Sequence, residues 1–341
     1  MQTIDVNDDI EVQNVTSCYL CGSEGYLLYE NLQDKLFGAR GKWNLTKCYN
    51  AECELLWLNP MPTEADLYKV YETYFTHQAS SGSTDNVRVQ RMSLKPFRVV
   101  LKLGYRVLLR LIDTRQDLPQ GRQDTANIYL SSKRVGSLLD VGCGNGAFLD
   151  RMRSLGWNVQ GVEVDHKAAR IAEEVFRIPV FIGTLEEARH PAASFDAVTM
   201  NHVIEHVHHP ITLLQECHRI LKPGGYLTVV TPNVKSLGHA RFGRDWRGLE
   251  PPRHLHLFSQ STLQSSARMA GFRKVETWTT PANAEILAVG SLDIKRGGRR
   301  KLGRSQLLMR DVLGKYFQLR ALAYYRRHFD SGEEAVLRAS K

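Results

Sequence analysis

The stretch from Leu138 to Asp165 constrains the fold more than any other part of the sequence. An apolar run over 135–141 predicts a buried strand, and apolar residues at helical spacing follow it as far as Gly156. A second apolar run over 159–164 predicts another strand. The stretch is therefore one strand–helix–strand unit, which is typical of an α/β fold.

The turn after the first predicted strand carries Gly142, Gly144 and Gly146. Glycine adopts positive φ without strain and lets the backbone pass close to a ligand. Such a turn also brings free N–H groups to the start of a helix. Glu163, at the end of the second strand, can accept hydrogen bonds from ribose hydroxyls. The unit predicts a ligand with an adenosine-like part and leaves a nicotinamide dinucleotide open as one alternative.

The string from Asp140 to Gly146 resembles motif I of the class I S-adenosylmethionine-dependent methyltransferases, and Gly161–Glu163 resembles their acidic second motif. A turn over 222–225, Lys-Pro-Gly-Gly before an apolar run, is similar to another segment of that family. The resemblance covers about 135–341. It implies a Rossmann-like, seven-stranded α/β sheet and S-adenosylmethionine as methyl donor.

The same resemblance implies which residues bind the donor. Thr184 and Leu185 fall where the family places side chains around the adenine, and Asn201 and His202 fall beside the methionine part. The implied donor site is Asp140, Gly142, Gly144, Gly146, Glu163, Thr184, Leu185, Asn201 and His202.

His202-x-x-Glu205-His206 spells a zinc-peptidase pattern, which requires a long helix. The preceding apolar run is short and strand-like, and Pro210 follows closely, so we disfavour a peptidase. The segment resembles instead the Glu-His pair after the fourth strand of methyltransferases, where Glu205 or His206 faces the acceptor. Helix capping and local hydrogen bonding are the alternative roles of these two residues.

The segment 242–259 combines aromatic residues, histidines and arginines, and loops of this kind often carry function. It resembles the His-x-x-x-Phe-Ser segment of the sugar C-methyltransferase relatives, in which the histidine is a base. His254 matches that histidine, and His256 is our second choice. Arg253 stands where those relatives have an acid. A structural histidine bonded to a loop carbonyl is the alternative for His254.

Four cysteines near the N-terminus form two closely spaced pairs, Cys18 with Cys21 and Cys48 with Cys53. Two such pairs can hold a tetrahedral zinc ion through four thiolates, which leaves no open position for catalysis. The segment resembles a zinc-binding module that precedes some sugar C-methyltransferases, although the spacing of the second pair departs from it. We predict a structural zinc; four buried, reduced cysteines are the alternative.

The net charge is +9, and basic residues collect at 88–115 and 295–327. We predict basic amphipathic helices over 94–113 and 306–328. Such helices can lie on an anionic membrane surface, dock on the domain or pair as a cap over the substrate. We find no recognisable RNA-binding module, so a nucleic-acid partner is disfavoured. No apolar run is long enough to span a bilayer, and the polar N-terminus is unlike a signal peptide. We therefore expect a cytoplasmic protein, peripheral at the inner face of the membrane if these helices bind it.

We predict four parts. In the third part, Thr63-x-x-Asp66 resembles a capping box at the start of a helix through Phe75. In the fourth, a basic amphipathic insertion occupies about 295–328. The parts are a mobile N-terminus over 1–15, a zinc-ribbon-like module over 16–62, a helical cap and linker over 63–134, and a methyltransferase domain over 135–341.

The predicted function is methylation of an oxygen or carbon of a sugar, a nucleotide-sugar or a lipid-linked glycan. A small-molecule O-methyltransferase of the quinone-pathway type is the first alternative. An RNA-modifying methyltransferase, a nicotinamide-dependent enzyme and a non-catalytic protein that binds the donor are the others.

Overall fold

The computed structural model of the chain describes residues 10–72, 125–130, 135–298 and 303–341. The strands, in chain order, are β1 (Val12–Gln13), β2 (Gly25–Leu32), β3 (Trp43–Cys48), β4 (Leu56–Leu58), β5 (Met61–Pro62), β6 (Ser137–Val141), β7 (Asn158–Glu163), β8 (Val180–Ile182), β9 (Phe195–Asn201), β10 (Leu221–Pro232), β11 (His256–Leu257), β12 (Lys274–Thr280) and β13 (Glu334–Ser340). The helices are α1 (Ala147–Ser154), α2 (His166–Phe176), α3 (Pro210–Ile220), α4 (Leu237–Phe242), α5 (Gln260–Met269), α6 (Ala284–Lys295) and α7 (Arg304–Tyr325).

A seven-stranded sheet in the order β12-β13-β10-β9-β6-β7-β8 forms the centre of the molecule. The strands from β10 to β8 are parallel, whereas β13 runs antiparallel to both β10 and β12. The strand order reverses between β6 and β9, which is where ligands bind in open α/β sheets. This sheet confirms the predicted Rossmann-like methyltransferase architecture.

Local signals in the sequence explain where the elements of this sheet begin and end. The α1 helix ends just before Gly156, whose φ of 97° suits a left-handed position. Asp165 caps α2 by accepting a hydrogen bond from the amide of Lys167 at 2.9 Å. Ser259 and Thr262 form a reciprocal capping box at the start of α5. Most residues of the strands β6 and β9 are buried.

The N-terminal residues build a second sheet, and the catalytic half of the chain completes it. Its strand order is β11-β4-β3-β2, so a short strand from 256–257 extends a sheet made by residues 25–58. His256 is paired with Trp57 and Leu257 with Leu56. This pairing holds the loop that follows β10 against the N-terminal module.

The same loop is bonded to the segment that follows β9. The amide of Leu255 donates to the carbonyl of Glu205 at 2.8 Å, and the amide of Leu58 donates to the carbonyl of Leu255 at 2.9 Å. One residue of the loop therefore connects the N-terminal module to the end of a central strand.

The structure differs from the sequence prediction around Thr63 and Asp66. The carboxylate of Asp66 accepts from the amide of Glu11 at 2.6 Å and from Lys69 at 2.8 Å, and it caps no helix. A short 3₁₀ helix over Leu67–Tyr71 follows. The predicted capping box is wrong, because the carboxylate is used by a distant segment.

The α6 helix was not expected from the sequence. Gly290 at its middle allows close contact, since a Cβ there would lie 3.0 Å from Cδ of Arg247. The α7 helix agrees with the predicted helix over 306–328, but it packs on α6 through Arg310–Asp293 and Lys315–Glu285 ion pairs. Two of its cations are thus neutralised within the fold.

The predicted basic helix over 94–113 lies outside the described residues, as do most of the residues of the predicted cap and linker over 63–134. Among the described helices, none combines the length and the apolar character that a membrane span requires. Contact of α7 with a membrane surface stays a prediction.

Candidate active site

The glycine turn between β6 and α1 has the backbone that its residue types predict. Gly142 and Gly144 both have positive φ, 71° and 54°. A Cβ on Gly142 would lie 2.5 Å from Cγ2 of Val203, so only glycine fits between β6 and the segment after β9. A Cβ on Gly144 would meet no atom within 4 Å. The space beside Gly144 is therefore open to a ligand.

The amides of this turn bond within the protein. Gly142 and Cys143 both donate to the carbonyl of Val162, at 2.8 and 3.1 Å. Gly144 donates to Oε2 of Glu163 at 2.7 Å, and Gly146 to the carbonyl of Cys143 at 3.1 Å. The expectation of free amides is wrong at these positions. A pyrophosphate needs such amides, so the turn suits a ligand without phosphate better than a dinucleotide.

Glu163 lies at the carboxyl end of β7, as the sequence predicted. One carboxylate oxygen accepts from Gly144 and the other from the amide of Asp165 at 2.9 Å. These two bonds fix the carboxylate, and each oxygen keeps a further lone pair for a ribose hydroxyl. Burial raises the pKa of Glu163, and the two backbone amides act against that shift.

Asp140 is buried at the end of β6, beneath the glycine turn. Its Oδ1 accepts a hydrogen bond of 2.6 Å from the hydroxyl of Thr199 on β9. Burial raises the pKa of Asp140 to about 7, the Thr199 hydroxyl opposes the shift and the charge of Glu163 adds to it. A cationic ligand such as a sulfonium would favour the ionised forms of these two carboxyl groups, because an opposite charge stabilises a carboxylate.

The other predicted donor residues lie at the same edge of the sheet. Thr184 and Leu185 follow β8; the amide of Thr184 bonds to Glu187 at 2.8 Å, and Leu185 is buried. Asn201 ends β9 and is exposed. The roles of these three residues toward adenine and methionine stay predictions.

His202 has a left-handed backbone, with φ of 56°, immediately after β9. Its Nδ1 lies 3.1 Å from Oε1 of Glu205, and its Nε2 lies 3.1 Å from Oε1 of Glu334. Burial opposes a charged imidazole, but the two carboxylates outweigh it and raise the pKa of His202 above its ordinary value. The side chain is still 37% exposed, so it can also contact a ligand.

Glu205, His206 and His254 form a cluster, which we call the acceptor cluster. One oxygen of Glu205 and one nitrogen from each imidazole lie within 4.8 Å of one another. The rings of His206 and His254 are 4.7 Å apart, centroid to centroid. Val203, which contacts the glycine turn, stands two residues before Glu205. The cluster therefore lies next to the predicted donor site.

Each imidazole of the cluster is oriented by a carbonyl. Nδ1 of His254 lies 2.7 Å from the carbonyl of Gly248, and Nδ1 of His206 lies 2.9 Å from that of Arg253. A carbonyl only accepts, so both Nδ1 atoms carry the proton and both Nε2 atoms keep a lone pair. Burial lowers the pKa of His254 to about 4, which keeps this imidazole neutral at neutral pH.

His256 lies apart from the cluster. It is buried in β11, its Nε2 is 3.3 Å from the carbonyl of His208, and its ring is 5.5 Å from that of Tyr19. His254 and His256 thus have different neighbours, because His254 lies in the loop whereas His256 begins the strand β11. The structure brings His254, and not His256, to Glu205 and His206.

The buried charges that hold the loop over 243–258 in place were not predicted from the sequence. Arg253 is fully buried; it pairs with Asp34 at 2.6 Å and with Glu250 at 3.0 Å. Glu250 also pairs with Arg247. Burial opposes ionisation of Glu250, but the arginines and His254 hold its pKa well below the ordinary range. Tyr71 adds a contact of 3.0 Å from its hydroxyl to Nδ1 of His206.

The four N-terminal cysteines converge, including the one whose spacing was unusual. The sulfurs of Cys18 and Cys53 are 3.5 Å apart, as are those of Cys21 and Cys48, and all four lie within 4.8 Å of one another. None of these four cysteines forms a disulfide bond. The amide of Gly22 donates to the carbonyl of Cys18 at 2.9 Å, which closes the first turn. Four thiols at these distances fit a tetrahedral metal ion.

Comparison with known proteins gives a family-level result. A family profile described as a methyltransferase domain matches residues 113–277, which contain the glycine turn and the acceptor cluster but none of the four clustered cysteines. The ubiquinone biosynthesis O-methyltransferase of Paraburkholderia phymatum is 32% identical over 160 residues, 43% of this chain and 67% of that protein. The protein of the same name from Thiobacillus denitrificans is 30% identical over 181 residues, 49% of this chain and 71% of that protein.

Among solved structures, phosphoethanolamine N-methyltransferase 2 of Haemonchus contortus is 17% identical, with a TM-score of 0.47 over 89% of this chain and 70% of that one. A methyltransferase of Thermotoga maritima is 21% identical, with a TM-score of 0.41 over 72% of this chain and 93% of that one.

Proposed function

The chain belongs to the class I S-adenosylmethionine-dependent methyltransferases, and on that premise we propose that it methylates a hydroxyl oxygen of a small, quinone-type phenolic acceptor. The observation that carries the proposal is the position of the acceptor cluster, a buried carboxylate and two imidazoles beside the glycine turn. The relatives named as ubiquinone biosynthesis O-methyltransferases support this kind of acceptor over a sugar.

The residues of the turn fit the donor. S-adenosylmethionine supplies a methyl group on a sulfonium, which an acceptor oxygen takes in one displacement that leaves a neutral thioether. The open space beside Gly144 would admit the donor, and Glu163 would hold its ribose. Asp140 would add negative charge beneath it. These groups align the donor; alignment alone accounts for a large part of such catalysis.

The acceptor cluster would hold the hydroxyl and receive its proton. His254 keeps an unprotonated Nε2 because Nδ1 donates to Gly248, so it can accept a hydrogen bond from the acceptor. His206 is oriented in the same way by Arg253. Glu205 would stabilise positive charge that develops on either ring, since its buried carboxylate lies within 4.8 Å of a nitrogen of each.

We also propose a structural zinc ion at Cys18, Cys21, Cys48 and Cys53. All four thiols would serve as ligands, so the ion would have no open position and no direct part in methyl transfer. Its contribution would be to stabilise the module against which β11 is paired.

A sugar, nucleotide-sugar or lipid-linked glycan remains the second candidate acceptor. It is favoured by the cysteine module and by the His254 segment, both of which resemble sugar C-methyltransferase relatives. Arg253 weakens this candidate, because it is locked between Asp34 and Glu250 and cannot replace the missing acid.

The test compares acceptors with a labelled donor. Purified protein is incubated with labelled S-adenosylmethionine and either catechol-type phenols or nucleotide-sugars, and products are identified by mass spectrometry. We expect methylated phenols. Label only on the sugars would replace the proposed acceptor with the second candidate.

Donor binding is tested separately by calorimetry with S-adenosylhomocysteine. Glu163→Gln should weaken binding about 10- to 100-fold, which corresponds to losing a charged hydrogen bond of roughly 1.5–3 kcal/mol. Glu174→Gln on the exposed face of α2 is the matched control and should bind normally. Equal affinity of both variants would exclude Glu163 from the donor site.

A further inference from the structure

We propose that the acceptor cluster of Glu205, His206 and His254 is a binding site for a divalent first-row transition cation. The cation site stands on the geometry of these three side chains alone. Its use in catalysis, to hold the acceptor oxygen, rests on the proposed function.

The three ligand atoms already converge. They lie within 4.8 Å of one another without a cation. Ligands of a zinc-sized ion bind at about 2.0–2.2 Å, which places neighbouring ligand atoms roughly 3–3.5 Å apart. Atoms at the upper limit of 4.8 Å would have to approach one another by roughly 1.3–1.8 Å to bind an ion.

Both imidazoles are prepared as metal ligands. Metal-binding histidines usually donate the other ring N–H to a carbonyl or carboxylate, which fixes the tautomer. His254 donates Nδ1–H to Gly248 and His206 donates Nδ1–H to Arg253. The nitrogen that keeps a lone pair is Nε2 in both rings. The loop residues that anchor Arg253 therefore also orient the His206 ring.

Glu205 supplies the observation that points to a missing partner. Its side chain is fully buried. Oε1 contacts His202 at 3.1 Å, but Oε2 has no hydrogen-bond partner among the residues that the structure describes. A buried carboxylate oxygen without a partner is unfavourable. A cation bound by the Glu205 carboxylate and by one nitrogen of each imidazole would give this buried oxygen a partner.

The ligand set indicates the kind of cation. Two imidazoles and one carboxylate favour zinc, iron(II), cobalt or manganese over calcium and magnesium, which prefer oxygen ligands. Three protein ligands leave open positions for an acceptor. The four-cysteine cluster is different, because it offers four thiols and no open position.

A cation here would change how the acceptor reacts. With a cation bound, the imidazole lone pairs are ligands and no longer accept the acceptor's proton. A phenol bound through oxygen to the cation would instead lose that proton to solvent. The oxygen lone pair then forms the bond to the methyl carbon while the carbon–sulfur bond breaks, and the released thioether is neutral. Two adjacent hydroxyls can occupy two open positions, so catechols should be better acceptors than isolated phenols.

The test is a cobalt titration of the full-length protein after mild chelation. Cobalt bound by nitrogen and oxygen ligands should give visible absorption without the charge-transfer bands of thiolates. Glu205→Gln and His254→Ala should each weaken this cobalt binding by at least ~10-fold, the size seen when even outer-shell partners of a metal are lost. Neither donor nor acceptor is present, so the readout is independent of activity.

His239→Gln is the matched control, because Nδ1 of His239 also contacts a carbonyl, that of Val234 at 2.6 Å, outside the cluster. It should bind cobalt like the unaltered chain. Circular dichroism and S-adenosylhomocysteine affinity report whether each variant is folded.

Equal cobalt affinity in all folded variants, or a spectrum of thiolate type alone, would overturn the cation site. Failure of this kind leaves phenol methylation to be judged by its own assay. Cobalt binding that needs Glu205 and His254, in a protein that methylates no phenol, would instead support the site and contradict the proposed acceptor.

Discussion

At the scale of single residues, Asp140 of the proposed donor site has a strongly shifted pKa in the donor-free protein. It is buried, shares a hydrogen bond with Thr199, and has a pKa raised by burial from 3.8 to about 7. Its ionised form is therefore disfavoured in the folded protein. A cationic donor nearby would reverse this preference, because an opposite charge favours the carboxylate.

This shift predicts a pH-dependent effect of Asp140→Asn on the donor-free protein. A raised carboxyl pKa gives stability that is complete below about pH 4 and is lost as the pH rises through about 7. The variant should thus unfold at the same denaturant concentration as the parent near pH 4 and be more stable at pH 8. The ceiling is about 4 kcal/mol for a shift of about three pH units.

Urea unfolding at the two pH values measures the difference. Asp150→Asn on α1 is the control: its side chain is 41% exposed and pairs with Arg153, and losing this exposed ion pair should cost less than about 1 kcal/mol at either pH. A difference between parent and Asp140→Asn that is the same at both pH values would contradict the raised pKa.

The site residues that could be predicted are those that belong to a local sequence pattern. Gly142 and Glu163 were found because a tight turn and a strand end have local patterns. Asp34 and Glu334 were missed, although each holds a residue of the site, because they lie far along the chain from Arg253 and His202. Long-range ion pairs leave no spacing that a single sequence displays.

At the scale of elements, the loop over 243–258 is held by buried charge rather than by regular structure. Arg253 is completely buried and contacts two carboxylates and the carbonyl of Val70 at 3.0 Å. Its neighbour His254 belongs to the acceptor cluster. Removing the guanidinium would leave Asp34 and Glu250 less well compensated in a low-dielectric environment.

We expect Arg253→Met to lower the free energy of unfolding by about 3–5 kcal/mol, the range for breaking a buried ion pair. Lys35→Met is the comparison, because Lys35 is 36% exposed and lies 3.6 Å from Asp245. That change should cost less than about 1 kcal/mol. Denaturant unfolding followed by tryptophan fluorescence measures both. Similar costs would mean that the buried pair does not stabilise the loop.

The elements that could not be predicted are those created by tertiary contact. The β11 strand is only two residues long and exists because β4 offers a free edge. The α6 helix contains Gly290, which lowers helical propensity but allows contact with Arg247. By contrast, the apolar spacing and the glycines within 135–164 are local signals. They predicted β6, α1 and β7 within about two residues of their observed ends.

At the scale of the whole molecule, the two sheets support different parts of the proposed site. The seven-stranded sheet carries the glycine turn and Glu163. The N-terminal sheet includes β11, and the loop before that strand carries His254. The amide of Leu255 links this loop to Glu205. Loss of the N-terminal module should therefore affect the acceptor side more than the donor side.

Zinc removal tests this division. In the Cys18→Ser/Cys21→Ser double variant we expect loss of about one zinc ion per chain, because two of the four thiolates are gone. Turnover should fall at least ~10-fold as His254 loses its support. Affinity for S-adenosylhomocysteine should stay within about a factor of three, since the glycine turn belongs to the other sheet. Metal analysis, product formation and calorimetry on one preparation give the three values.

Cys217→Ala is the control, because Cys217 is a buried cysteine on α3, outside the cluster. It should keep its zinc. A parallel loss of donor affinity and turnover in the double variant would show that the two sheets unfold together, and unchanged turnover in a folded, zinc-free chain would show that the module does not position His254. The expected separation of the two effects follows from one connection, since β11 and Leu255 join the N-terminal sheet to the segment that follows β9.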